Sequence, residues 1–182
     1  MPSQLMPAYR RRSLFRWRLF RRLAYGRGHG IHSPLAYASV YSLLRPYSGY
    51  YLDDEEIAEV MTPDEWIWFR MAARLRPSET RYALSEEGLF RAIEKHAFTS
   101  SFSNGPILMV TDDRGEAEKF FRENPESPLR VILYTGIRRD RRSEIAFLAF
   151  LEGIRQGIVL DYFDGALIFK SNQALYYYRT TL

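Results

Sequence analysis

Residues 157–169 read Gly-Ile-Val-Leu-Asp-Tyr-Phe-Asp-Gly-Ala-Leu-Ile-Phe. Two runs rich in β-branched and aromatic side chains, 157–163 and 166–170, flank Asp164-Gly165, a pair suited to a two-residue hairpin turn. An antiparallel hairpin is expected there. Toward the N-terminus the pattern alternates. Ile107–Thr111 and Leu129–Thr135 are short continuous apolar runs, as in strands buried on both faces. Between them Asp112-Asp113 opens a helix to about residue 123. Asp140–Ile154 is a longer helix with an apolar side assigned to Ile145, Leu148 and Ala149, flanked by Phe147 and Leu151. Leu175–Thr181 supplies a closing strand. Upstream, Arg81–Leu84 is a short strand, and Ser85-Glu86-Glu87 caps a helix running through Ala97. Strands alternating with helices predict an α/β fold: a reduced, mainly parallel sheet, a C-terminal antiparallel hairpin and an N-terminal helical segment.

The N-terminal half is helical in pattern. Thr62-Pro63-Asp64-Glu65 is a capping box opening a helix to about residue 75. Trp66, Ile67, Phe69 and Met71 give it apolar bulk around most of its circumference, so it should be largely buried. Ser33-Pro34 starts another helix, reaching about Arg45 before Pro46. Before it, Gly26, Gly28 and Gly30 interrupt the chain. His29 and His32, with Ser33, form a candidate anion or ligand site; pinning the turn through backbone hydrogen bonds is the commoner role for such histidines. Earlier still, Arg10–Tyr25 sets Phe15, Leu19, Phe20 and Leu23 on one side and Arg11, Arg18, Arg21 and Arg22 on the other. The expected division is a basic helical segment, 1–76, packed on an α/β core, 77–182, as one compact domain.

Charge is unevenly distributed. Residues 1–52 hold nine Arg and no acid, whereas the remainder carries a net charge of −5. The arginine-rich helix fits packing on the protein's own acidic remainder, an anionic membrane surface, or a nucleic-acid backbone. The chain has no cysteine, which excludes disulfides and thiolate metal sites, and its three histidines are too few for an all-histidine cluster. No apolar run approaches the ~20 residues of a transmembrane helix, and no signal-peptide pattern occurs, so a cytoplasmic location is expected. Hydrolase motifs (GxSxG, HExxH, Walker) do not occur.

Two passages carry a family resemblance. Gly28-His29-Gly30-Ile31-His32-Ser33-Pro34-Leu35 resembles the HGxHSP segment of a bacterial group of class I, S-adenosylmethionine-dependent methyltransferases related to O-methyltransferases. Gly157–Phe169 resembles that group's closing D-x-F-x-x-G-hydrophobic hairpin. The likeness covers about residues 26–52 and 107–182 and implies a Rossmann-like sheet. Departures are concentrated at the site the family would use. Its first strand is followed by a glycine-rich loop that lets the backbone approach the cofactor. The corresponding stretch here, Tyr82–Gly88, keeps one glycine and introduces two glutamates. Between Ala97 and Ile107 there is no room for two further strand–helix units. With Ile107–Thr111 set against the family's fourth strand, Asp112 stands near its aspartate, but the histidine often found shortly after is absent. Thr135-Gly136 stands where an acidic pair often follows the fifth strand.

These departures favour a non-catalytic methyltransferase-like protein that acts by interaction or through an unidentified ligand, with no catalytic residue, metal or cofactor. An active methyltransferase with an atypical loop is the alternative. It would bind S-adenosylmethionine near Ser85, Gly88, Asp112 and Asp113, although acids such as Asp112 and Asp113 are more often helix caps. A peripheral membrane or nucleic-acid adaptor, working through Arg11, Arg18, Arg21 and Arg22, is the second alternative. Leu175–Arg179 is aromatic on both faces, which suits either a homodimer contact or burial within the monomer.

Overall fold

A computed structural model describes residues 34–44, 55–85, 88–97, 103–123, 129–162 and 164–180. The helical half contains α1 (Pro34–Ser39, continuing as a π-helical stretch Val40–Leu44), α2 (Glu55–Val60) and α3 (Pro63–Leu75). Then follow β1 (Glu79–Ala83), α4 (Phe90–Ala97), β2 (Ile107–Thr111), α5 (Arg114–Arg122) and β3 (Arg130–Tyr134). The chain closes with α6 (Arg141–Gly153), β4 (Gln156–Asp161), β5 (Ala166–Ala174) and β6 (Tyr176–Arg179).

The strands form one mixed sheet in the order β1-β2-β3-β5-β4-β6. β1, β2 and β3 are parallel, β5 inserts antiparallel between β3 and β4, and β6 lies parallel to β4 on the outside. The predicted α/β architecture with an antiparallel hairpin is therefore present.

Successive strand side chains point to opposite faces, so the sheet builds two cores. Face one takes Leu108, Val110, Val131, Leu133, Leu160 and Phe169, covered by α1, α3 and α4. Face two takes Met109, Ile132, Tyr134, Val159 and Ile168, covered by α5 and α6. Helix α3 is the main element of the first layer. Its Thr62/Glu65 capping box forms as the sequence predicted, and Ile67, Trp68, Phe69, Met71 and Ala72 are buried. Arg70 is buried too; its Nε donates to the Leu43 carbonyl at 2.6 Å, and desolvation lowers its pKa to about 10.

The two faces determine handedness. β1, β2, β3 and β4 all run the same way and step in one direction across the sheet. Helices α5 and α6 both cross face two, which for connections stepping in this direction is assigned the right hand that sheet twist favours. Helix α4 crosses face one, so the β1–α4–β2 unit has the opposite, left hand.

Three expectations are corrected. The hairpin turn is not centred on Asp164-Gly165, and the φ of Gly165 is not positive. The Tyr162 N–H donates to the Gly165 carbonyl at 3.0 Å, which puts the turn one residue earlier. Glycine is needed at 165 for space: a Cβ there would lie 2.7 Å from the Tyr134 carbonyl oxygen and 2.7 Å from the Tyr162 ring. Helix α4 starts at Phe90 rather than at Ser85. On α6 the buried residues are Phe147 and Phe150, whereas Ile145 and Leu148 are 56% and 51% exposed. The larger rings at i and i+3 fill the space over the sheet and turn the aliphatic pair outward. No described helix is long and apolar enough to cross a membrane.

Candidate functional site

In open α/β sheets, ligands bind outside the carboxyl ends of the strands, where neighbouring strands send their connections to opposite faces. β1 and β2 meet that condition, since α4 lies on one face and α5 on the other. The crevice between their ends is the site the topology selects.

Side chains of the chain itself span this crevice. Asp112 Oδ1 accepts from the Ser85 N–H at 3.1 Å, and its Oδ2 accepts from the Ser85 hydroxyl at 2.6 Å. Arg139, from the loop after β3, reaches the same Oδ2 at 3.2 Å. The Asp112 side chain is only 9% exposed, so three charge-assisted bonds replace the water it loses. Two of the four candidate residues, Ser85 and Asp112, are thus brought together. The other two are used elsewhere. Asp113 caps α5, accepting from the Glu116 N–H at 2.8 Å. Gly88 turns the backbone at φ 53° against Glu65, whose Oε1 accepts from the Leu89 N–H at 2.8 Å. A carboxylate already engaged by three donors, one of them a guanidinium, is a weakened base.

A second cluster lies farther along the same edge. Asp161, fully buried at the end of β4, accepts from Arg138 at 3.3 Å and from the Tyr177 hydroxyl. Arg138 and Arg139 are adjacent, so one loop ties the ends of β4 and β2. Tyr162 then donates its hydroxyl to Asp64 Oδ1 at 2.7 Å, joining the hairpin to the first turn of α3. Burial is the main reason the Asp64 pKa rises to about 6; Asp164 and Glu65 raise it further, against the opposing Tyr162 bond. Burial, with Asp64 next, pushes the Tyr162 phenol well above its usual range, so it remains a donor. Tyr134, at the end of β3, is likewise raised to about 12, by burial and then by Asp113 and Asp112.

Sequence reasoning did not single out this second cluster. Asp161 in an otherwise apolar strand was its one visible sign. Among the described residues no group of three or more His, Asp or Glu could hold a metal ion. His29, His32, Ser33, Arg11, Arg18, Arg21 and Arg22 lie outside the described residues. No protein-family model, curated protein or solved structure matches the chain.

Proposed function

We propose that this chain is a reduced, Rossmann-like relative of the class I methyltransferases that carries out no methyl transfer and works as a binding scaffold. The observation that carries the reading is the Ser85–Asp112–Arg139 cluster. It occupies the carboxyl ends of β1 and β2 with the protein's own hydrogen bonds.

The left-handed β1–α4–β2 unit supports the reduced architecture. In a doubly wound sheet the helix after the first strand covers the opposite face because the chain then runs outward to further strands. Here α4 takes that face, but the chain returns inward to β2, and β1 pairs only with β2 among the described strands. Removing the outer strand–helix units from such a sheet leaves this crossover behind.

Calorimetric titration with S-adenosylmethionine and S-adenosylhomocysteine tests the reading. No heat of binding is expected from the wild type. Micromolar binding of either compound, or methyl transfer by the purified chain, refutes it.

A further inference from the structure

On face two, at the amino ends of β3 and β4 and away from the crevice, the C-terminal turns of α5 and α6 border a hollow of about 520 Å³. That size lies within the ~300–1,000 Å³ of small-molecule sites. Its apolar lining includes Phe121, Leu129, Phe150 and Ile154. Phe121 and Phe150 meet edge-to-face at 5.8 Å, a contact that fixes both rings.

Among the described residues its charged lining is mostly basic: Arg122, Arg130, Arg155 and Lys170 against one acid, Glu118. Glu118 is already shared by Arg114 at 2.5 Å and Arg122 at 3.0 Å. Arg130 and Lys170 stand opposite one another, one step beyond the Val131–Phe169 pair of the β3–β5 ladder. Like charges so placed are unfavourable. Part of that repulsion is offset at the end of α5: Arg130 donates to the Phe120 carbonyl at 2.7 Å and to the Glu123 carboxylate at 3.3 Å, and Lys170 donates only to the carbonyls of Phe121 and Glu123, at 2.5 and 3.2 Å. These carbonyls carry only partial charge. Burial and the neighbouring Arg130 still hold the Lys170 ammonium below its usual range. Among the described residues, neither Lys170 nor the exposed Arg155 has a carboxylate partner. The positive potential therefore opens into a concavity with an aromatic wall.

We propose that this hollow binds a small organic anion with an apolar body. Its acid group (carboxylate, sulfonate or phosphate ester) would be held between Arg155 and Lys170, and its hydrophobic part would lie on Phe121 and Phe150. The proposal does not depend on the reading of the crevice.

The full chain is titrated with anilinonaphthalene sulfonate, and in parallel with uncharged N-phenylnaphthylamine, following fluorescence at low salt. The sulfonate should bind once per chain, about tenfold or more tighter than the neutral ring system, and weaken as salt screens the cations. Arg155→Glu, an exposed change, should weaken it about tenfold. Gly153 lines the hollow and has nothing within 4 Å of an added Cβ. Gly153→Trp should therefore block binding, whereas Gly153→Ala should leave it intact. Circular dichroism verifies that each variant is folded. Equal binding of the neutral compound overturns the proposal, as does indifference to both Arg155→Glu and Gly153→Trp. Loss of sulfonate binding in Asp112→Ala would assign the dye to the crevice and also overturn it.

Discussion

Replacing Asp64 with asparagine should stabilise the protein near neutral pH, and progressively less as the solution is acidified. Asp64 holds its proton up to about pH 6 in the folded chain, against an ordinary 3.8. Its folded value is raised, so the unfolded chain releases this proton at lower pH than the native state does. Between about pH 4 and 6 the native state binds more protons, and this group's contribution to stability falls as pH rises. Integrating the two titrations gives a penalty of about 3 kcal/mol near pH 7.5 but only about 1 kcal/mol near pH 4.5. Asparagine keeps an oxygen to accept from Tyr162 and removes the charge. Its loss of a favourable anion in the first turn of α3 offsets roughly 0.5 kcal/mol. Asp64→Asn should therefore gain about 2 kcal/mol more, relative to wild type, at the higher pH than at the lower one. Urea unfolding of both proteins at the two pH values measures it. Equal differences at both would show that the Asp64 carboxylate is adequately solvated, and the burial argument would be wrong.

Glu65→Ala should destabilise by about 2–4 kcal/mol in urea unfolding, because it removes a helix cap and orphans a buried donor together. That buried side chain accepts from the Thr62 N–H and hydroxyl at 2.7 and 2.8 Å, and from the Leu89 N–H. The two glycine sites should respond in opposite directions to alanine. Gly165→Ala forces a methyl against the Tyr134 carbonyl and Tyr162 ring, so a loss of about 3 kcal/mol is expected in the same assay. Gly153→Ala, at the open end of α6, should be neutral or stabilise by up to about 1 kcal/mol, read as a small rise in Tm.

Local and long-range determinants separate cleanly along the chain. Ile107–Thr111 was legible as a buried strand because all five side chains are apolar or small, and all five are buried. The capping box at Thr62 was legible because its hydrogen bonds join residues three apart. Gly165 was misread since its constraint comes from Tyr162 folding back over it and from Tyr134 on a neighbouring strand. The buried side of α6 was misassigned because Ile145, Leu148, Phe147 and Phe150 are all apolar, and only the shape of face two selects the rings. In the candidate site Asp112 could be placed at a strand end. Its partner Ser85 lies 27 residues earlier and meets it only because β1 aligns beside β2. Asp64 and Tyr162, 98 residues apart, share no sequence signal at all.

The left-handed crossover and the helical N-terminal half explain one another. A twisted sheet disfavours that hand, so α4 needs compensating contacts to stay on face one. Helix α3 provides them. Trp68 meets Phe90 edge-on at 6.4 Å and Tyr82 at 5.6 Å, so one indole joins α4 to β1. Phe90 and Ile93 bury into the same core as Ile67 and Met71. Glu65, the residue that completes the α3 cap, also accepts from Leu89 at the turn into α4. Without α3 the apolar side of α4 would have little to cover it on face one. The helices before β1 are therefore more than a cover for the sheet. They hold α4 on face one, through Glu65, Trp68 and the core that Phe90 and Ile93 join.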